Sequence, residues 1–504
     1  MPDSLYDIVV IGGGINGTGI AADAAGRGLR VLLAEERDLA SGTSSASSKL
    51  IHGGLRYLEL YAFRLVREAL AEREILLAKA PHIIWPLRFV LPRVAGMRSA
   101  PLLRAGLFLY DHLSPRRTLG GSHSLDLSSD PAGRPLRADV ARGYAYWDCW
   151  VDDARLVVLN ALAAQQKGAE ILTATPVTAL TADQGRWRVM LGAGADARQV
   201  SARVFVNASG PWVEGVAKRA IGQHNTPAPK VRLVKGSHIV VPRIEGTDDA
   251  YLFQNIDGRV VFALPFERDF TLIGTTDVPF DGAPRDVCVS AEEESYLLDL
   301  ANRFFRRPLS RSDIVWSFAG VRPLDDDGSD NPSSVSRDYR LDLVAGAQPP
   351  VLHVIGGKIT TYRRLAEAAL ALLAAHLPAM GPAWTASAAL PGGDVGRAGY
   401  AAWFDELKAR RPGFDPNGLA RLARRYGTRV ETLLGDAKTA ADLGNELGAG
   451  LSEREVTFLA ETEWAKTAGD VLWRRTKTGL HLAPEDRVAS SERVQAVLDR
   501  ARKA

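Results

Sequence analysis

Apolar positions in the first thirty-five residues fall into three blocks with different periods. Asp7-Ile8-Val9-Val10-Ile11 is an almost unbroken β-branched run, the pattern of a strand covered on both faces. Ile15 to Ala25 is alanine-rich with helical spacing, and Gly26-Arg27-Gly28 stops it. Arg30 to Ala34 is a second short apolar run that ends on the acid Glu35. Together they predict a β-α-β unit.

Further along, Phe63 to Ala80 reads as a helix full of Glu and Arg, and Ile83 to Leu91 as a strand broken by Pro86. Leu102 to Leu113 is apolar and flanked by Arg98, Arg104, Arg116 and Arg117. It fits an ordinary buried helix with a charged rim better than an amphipathic element resting on anionic lipid. Leu156 to Lys167 predicts a helix ended at Gly168, Glu170–Leu172 with Val177 a strand, and Trp187 to Leu191 a hairpin arm. Val204 to Ala208 is a buried strand entering the turn Ser209-Gly210-Pro211-Trp212. From about Val231 to Asp342 short β runs bounded by Gly, Pro and Asp (Ser237–Val241, Tyr251–Gln254, Val260–Leu264, Thr271–Gly274) predict an inserted sheet. Val351 to Lys358 returns to strand-then-glycine, followed by a helix over Thr361–His376, and the chain from about Pro391 is helical and charged. The expected division is a discontinuous first domain (1–80, 145–225, 343–380), an inserted sheet domain (81–144, 226–342) and a C-terminal helical domain (385–504).

With 504 residues the chain is too long for one compact core. A net charge of +3 is too small to suggest a nucleic-acid partner. Cys149 and Cys288 are the only cysteines, too few for an iron–sulfur cluster, a zinc quartet or a disulfide framework, which points to a reducing compartment. No metal site is expected. Neither a secretory leader pattern nor eighteen successive apolar residues occurs, so no membrane span is expected.

Chemistry enters with Gly12-Gly13-Gly14-Ile15-Asn16-Gly17, a G-x-G-x-x-G set between the first strand and its helix. Gly12 suits a sharp turn, Gly14 a close approach to a pyrophosphate, and Gly17 close helix–strand packing, while the helix N-terminus faces the phosphates. Glu35, eighteen positions after Gly17, is placed to bind a ribose diol. The Ser/Thr/Gly-rich stretch Ser41 to Tyr57 follows that acid at once and should pass over the cofactor, its hydroxyls donating to phosphate or ring oxygens.

The chain resembles the FAD-dependent, respiratory glycerol-3-phosphate dehydrogenases, flavoproteins of the glutathione-reductase/D-amino-acid-oxidase type. The resemblance runs through Val10–Gly26 (VIGGGINGTGIAADAAG), Thr43–Tyr57 (TSSASSKLIHGGLRY), Asp148–Leu156 (DCWVDDARL), Lys235–Val241 (KGSHIVV), Ile273–Asp277 (IGTTD), Gly320–Pro323 (GVRP), Ser336–Tyr339 (SRDY), Gly356–Arg363 (GGKITTYR) and Asp470–Lys477 (DVLWRRTK). It implies an α/β FAD domain with an inserted antiparallel substrate sheet and a C-terminal helical domain. It further implies oxidation of sn-glycerol 3-phosphate to dihydroxyacetone phosphate by hydride transfer from C2 to flavin N5, with electrons passed to a membrane quinone. FAD contacts are expected at Gly12, Gly14, Ile15, Asn16, Gly17, Glu35, Thr43, Ser44, Ser45, Ser47, Ser48, Lys49, His52, Gly53, Gly54, Val177, Ala208, Gly210, Trp212, Gly357, Lys358 and Thr360.

A phosphate dianion held beside a flavin needs cations, and Arg56, Arg322, Arg337 and Lys358 sit in four of these motifs. His238 has the ordinary pKa to take the alcohol proton, with His52 as an alternative base, and Tyr57 and Thr275 as hydrogen-bond partners. His238, Arg322 and Lys358 are the expected catalytic set. The Gly356–Thr361 turn puts a helix N-terminus where reduced flavin carries negative charge. A quinone acceptor implies peripheral attachment to an anionic membrane at the inner face of the cell membrane, through Leu102–Arg117 or the tail Ser490–Ala504. A homodimer is compatible with the reading. The alternatives are a glycerol-3-phosphate oxidase that uses oxygen, whose family carries an insertion not seen here, and the catalytic subunit of an anaerobic complex, disfavoured by two cysteines. Another D-amino-acid-oxidase-type oxidoreductase and a tRNA-modifying flavoprotein complete the set.

Overall fold

A computed structural model describes residues 5–59, 61–94, 99–194, 197–221, 229–246, 248–255, 259–326, 338–346 and 348–503. The chain opens with β1 (Leu5–Ile11), α1 (Ile15–Gly26) and β2 (Val31–Ala34). Next come β3 (Leu50–Ile51), α2 (Phe63–Lys79), β4 (Ile84–Arg93), α3 (Ala100–His112), β5 (His123–Asp126) and β6 (Arg142–Val151). α4 (Asp153–Gln166), β7 (Glu170–Leu172), the hairpin β8 (Val177–Asp183) and β9 (Arg186–Leu191), β10 (Arg198–Asn207) and α5 (Val213–Ile221) follow. The middle of the chain supplies β11 (Val231–Pro242), β12 (Ala250–Gln254), β13 (Val260–Phe266), β14 (Phe270–Gly274), β15 (Val278–Pro279), α6 (Ala291–Phe304) and β16 (Trp316–Asp325). After β17 (Arg340–Val344), β18 (Val351–Ile355) and α7 (Tyr362–Leu373) come α8 (Gly399–Arg410), α9 (Pro416–Tyr426) and α10 (Val430–Leu434). The chain closes with β19 (Glu446–Gly448), β20 (Leu451–Ser452), α11 (Glu453–Glu463), a π-helical turn (Asp470–Arg475), α12 (Thr478–His481) and α13 (Asp486–Ala501).

The first sheet has the order β17-β18-β10-β1-β2-β7, with the β8/β9 hairpin joined to β10. β1 is parallel to both β2 and β10, and β10 to β18. The unbroken apolar run of β1 follows from this position. Ile8 and Val10 pack with α1, α4 and α7, while Val9 packs on the other face with Trp187 and Phe205.

The second sheet runs β15-β11-β14-β13-β12-β4-β6-β3, with β16 beside β11 and β5 beside β6. Three details differ from the sequence reading. β4 is continuous through Pro86 and Pro92: its second edge meets β12 only at Phe89 and Val90, which leaves singly paired flanks where proline is tolerated. β6 belongs to this sheet, so residues 145–151 fall here and not in the first. β16 was not foreseen. Its sequence WSFAGVRPLD neither alternates nor forms an apolar run, yet it pairs along β11 from Trp316↔Val240 to Asp325↔Val231.

Helix α3 is not a buried helix. Only Leu107 and Tyr110 are buried, and Leu102, Phe108 and Leu109 remain 53%, 56% and 42% exposed. Leu103 is half-buried against the same core as Leu107 and Tyr110. Arg98 lies outside the described residues. No described helix is long and apolar enough to cross a membrane.

The C-terminal segment has its own core, from Trp403 to Leu498, and a small β19/β20 hairpin that was not foreseen. The apolar stripe of α13 (Val494, Val497, Leu498) is buried in that core, which removes the tail as a lipid-facing candidate. Buried ion pairs fasten this segment to the rest of the chain. Arg155 meets Glu463 with both side chains fully buried, Arg475 grips Asp38, and Lys477 Nζ lies 2.6 Å from Asp152. Removing one partner of such a pair typically costs about 3–5 kcal/mol, because the other charge is left in a dry interior.

Candidate active site

β1 and β10 lie side by side, and the turns at their carboxyl ends frame a crevice lined by Gly12, Gly14, Ala208, Ser209 and Gly210. This is where an open parallel sheet places its ligand. Gly12 has φ +110, and a Cβ there would come 2.5 Å from the Ala208 carbonyl oxygen. A Cβ on Gly17 would come 2.0 Å from the Gly12 carbonyl oxygen, so Gly17 seats α1 on the turn from behind the crevice wall. α1 starts at Gly14 with no side-chain cap and no acid in its first turn. Its N-terminus is therefore electropositive and suited to an anion. The Ile15 amide donates to Ser44 Oγ at 3.0 Å. Asn16 Nδ2 donates to the Gly356 carbonyl at 3.0 Å, while its buried Oδ1 has no hydrogen-bond partner among the described residues. Glu35 accepts from the Gly13 amide at 2.7 Å and the Arg37 amide at 2.8 Å. Burial raises the Glu35 pKa, and these two bonds oppose the rise. A glycine turn, an uncapped helix and a half-buried acid fit an adenine dinucleotide of the FAD type, and the orphan Asn16 oxygen is one more polar atom awaiting a partner.

The stretch after Glu35 divides into residues that face the crevice and residues that hold it in place. Thr43, Ser44, Ser47, Ser48, His52 and Gly54 line the crevice. Ser45, Lys49 and Gly53, also expected at the cofactor, are not among the residues that line it. The Lys49 ammonium is buried and turned to Asp153, 2.6 Å away, and to the Ser45 carbonyl, because a buried cation takes the carboxylate within reach. Asp153 also accepts from Ser47 Oγ at 2.8 Å. Gly53 is held from behind, its amide donating to Tyr110 Oη at 2.8 Å, with Tyr110 in turn bonded to Asp148 and Asp148 paired with Arg73. The DCWVDD motif is thus the scaffold under this loop. Val177 starts β8 and is not among the lining residues, whereas Ala208, Gly210 and Trp212 are.

On the side of the second sheet, Arg56, Tyr57, Thr275, Arg322 and Lys358 meet in the same cavity. Arg322 is paired with Asp277, and its Nη2 lies 3.3 Å from Thr275 Oγ1. Asp277 also lines the cavity and was not foreseen, although it closes the IGTTD motif. Lys358 Nζ sits 3.6 Å from the Tyr57 ring centroid. Gly356 (φ +71) and Gly357 (φ +93) make the turn whose residues Gly357 to Thr360 line the crevice just before α7, and Thr361 gives α7 no side-chain cap. Arg337 lies outside the described residues.

His238 is behind the wall. It is 2% exposed, stacks on Phe318, and places Nε2 3.0 Å from Ser48 Oγ, so one hydroxyl separates it from the cavity. Burial first, then the charges of Lys49 and Arg322, hold its pKa well below that of an ordinary histidine, and the ring is neutral. His52 faces the cavity directly.

Residues 7–363 match the family of FAD dependent oxidoreductases, and residues 383–503 match the C-terminal domain of alpha-glycerophosphate oxidase. The chain is 51% identical to a glycerol-3-phosphate dehydrogenase of Pseudomonas aeruginosa, over 98% of this chain and 95% of that one. It is 50% identical to a D-erythritol 1-phosphate dehydrogenase of Brucella abortus, over 96% and 97%. A glycerol-3-phosphate dehydrogenase from Bacillus halodurans, solved in complex with FAD, superposes with a TM-score of 0.76 at 27% identity, over 98% of this chain and 95% of that one.

Proposed function

The chain belongs to the family of FAD-dependent glycerol-3-phosphate dehydrogenases, and from that premise we propose that it binds FAD and oxidises sn-glycerol 3-phosphate to dihydroxyacetone phosphate. In this reading the first sheet with α1, α4 and α7 holds the cofactor, and the second sheet carries the substrate groups. The crevice residues Gly12, Gly14, Asn16, Glu35, Ser44 and Thr360 would hold FAD, which supplies the hydride acceptor when bound.

The observation that carries the proposal is the convergence of Arg56, Arg322 and Lys358, from three distant segments, on the cavity that also contains the Gly12–Glu35 turn. Asp277 offsets one of these three charges, and the remaining positive excess in a partly enclosed site favours an anion. Arg56 and Arg322 offer guanidinium forks to a phosphate, and Arg337 is a fourth cation by its motif. Tyr57 and Thr275 bond and orient the polyol. The C2 hydroxyl proton leaves through Ser48 to His238, whose ring is neutral near pH 7; a bound phosphate dianion offsets the Arg322 charge that helps hold its pKa down and so raises its basicity. D-Erythritol 1-phosphate is the second reading, favoured by the 50% identical relative named for it. Anaerobic mixing with each phosphate ester tests both. The flavin absorbance near 450 nm should bleach fastest with sn-glycerol 3-phosphate, and bleaching by neither ester would overturn the substrate class. Reoxidation by a short-chain quinone should outrun reoxidation by oxygen, and the reverse order would make the enzyme an oxidase.

A lipid-soluble quinone acceptor places the enzyme against the inner face of the cell membrane. The exposed Leu102, Phe108 and Leu109 of α3, flanked by Arg104, Arg116 and Arg117, form a surface suited to anionic lipid, and Tyr61 is a further exposed aromatic at 81%. In vesicle flotation the protein should rise with anionic liposomes at low salt. Phe108→Glu with Leu109→Glu should abolish flotation while bleaching by substrate continues, and unchanged flotation would remove α3 as the contact.

A further inference from the structure

The motif Asp470–Lys477 lies far from the crevice in sequence and contributes no residue to its lining. Its side chains instead grip the segments that form the crevice's back. Asp38, three residues past Glu35, is 6% exposed and receives both forks of Arg475, Nη1 to Oδ2 and Nη2 to Oδ1 at 2.8 Å, together with Arg474 Nε at 2.7 Å. The two successive arginines that reach this one carboxylate stand at the end of a π-helical turn. The loop they hold is tied directly to the glycine turn. The Ala40 amide donates to the Gly13 carbonyl at 3.0 Å, and the Gly13 amide donates to Glu35 at 2.7 Å. From the same domain, Lys466 Nζ donates to the Thr173 carbonyl at 2.7 Å, next to the strand end whose Leu172 carbonyl accepts from the Glu35 amide. Lys477 then reaches Asp152, neighbour of the Asp153 that anchors Ser47 and Lys49.

We propose that the C-terminal helical domain is a cofactor-retention clamp, in which Arg475, seconded by Arg474, acts through Asp38 as a positioning residue for the Glu35 ribose site. The physical case is one of preorganisation. Glu35 can meet a ribose diol without delay only if its loop is fixed beforehand, and a bidentate, doubly reinforced carboxylate fixes it better than loop hydrogen bonds alone. A domain that served solubility or association alone would have no reason to bury Arg475, with Arg474 half-buried beside it, on the loop next to the nucleotide acid. The inference rests on the FAD reading of the crevice.

The test is the rate of FAD release from diluted holoenzyme, read as the rise of free flavin fluorescence, with inhibition by ADP as a second probe of the adenosine end. Arg475→Ala should release FAD about 10–100 times faster and weaken ADP binding. KM for the phosphate ester at saturating FAD should stay unchanged, and Arg475→Lys should restore only part of the loss. Arg411→Ala is the control, since Arg411 pairs with Glu431 inside the same domain and does not reach Asp38. It should lower thermal stability with FAD release unchanged. Asp38→Asn, which keeps shape and loses charge, serves if Arg475→Ala does not fold, and should again speed release. Equal FAD release from the wild type and the Arg475 or Asp38 variants, or equal acceleration by Arg411→Ala, would overturn the clamp. Failure of the FAD reading would look different, because the wild type itself would purify colourless and take up no flavin.

Discussion

Arg322→Ala is expected to lower kcat/KM for sn-glycerol 3-phosphate by roughly 10²- to 10⁴-fold while the protein remains yellow. Arg322 enters the cavity from β16 already oriented, with one fork nitrogen on Asp277 and the other near Thr275 Oγ1. Two charge-assisted bonds to a phosphate at about 1.5–3 kcal/mol each sum to roughly 3–6 kcal/mol, and each 1.4 kcal/mol is a factor of ten in kcat/KM. Alanine also strips Asp277 of its partner and leaves a carboxylate facing the substrate dianion, which pushes the loss toward the upper end. Arg322→Lys keeps the charge without the fork and should fall between. Adding Asp277→Asn to Arg322→Ala should recover part of the activity, since it removes the repulsion. Steady-state kinetics with flavin content measured in parallel decides the matter. A variant within a few-fold of wild type would take the phosphate away from Arg322.

The second large effect is acid lability. Three histidines are held neutral below their ordinary pKa: His82 down to about 3, His353 down to about 4, and His238 well below its usual value, each first by burial. For His82 the neighbouring Arg155, Arg429 and Arg424 push in the same direction. The sign follows from linkage. The unfolded chain takes up these protons below about pH 6.5 while the folded chain refuses them, so stability is complete above that pH and is lost as pH falls toward 4. Three protons at about 1.4 kcal/mol per pH unit give a slope of up to roughly 4 kcal/mol per unit. The carboxyls of Asp23, Glu35, Glu68 and Asp148, raised chiefly by burial, bind protons early in the folded state and offset part of that slope. Urea melts between pH 7.5 and 5 should show stability falling with acid. His82→Leu should remove about one proton from the slope, because neither ring nitrogen of His82 has a hydrogen-bond partner among the described residues to be lost. A flat profile across that range would show that these rings are not kept neutral by the fold.

Sequence-level reading succeeded where chemistry is local. The glycine spacing, the β-branched run before it and the acid after it lie within thirty-five residues, and periodicity alone ordered β1, α1 and β2. It failed where the deciding partner is remote. Lys49 looked like a cofactor ligand in a hydroxyl-rich loop, yet its ammonium belongs to Asp153, about a hundred residues on. β16 has no strand signature of its own and is a strand because β11 offers it ten residues of ladder. In α3 the apolar content was plain, but whether anything covers it is a question about other elements. His238 was legible as a histidine in a strand, while its place behind Ser48 depends on how the Thr43–Tyr57 loop folds back over the second sheet.

By itself the sequence determined the nucleotide turn, the cations available for an anionic substrate and the family, because each depends on residue type at short spacing or on motifs carried intact. Only the tertiary structure decided which cations share a cavity, which are bound into buried pairs, and that the C-terminal domain grips the loop beside Glu35. The reason is that a charge has no fixed role along a chain. Burial and the nearest opposite charge assign it one, and both are set by segments hundreds of residues apart.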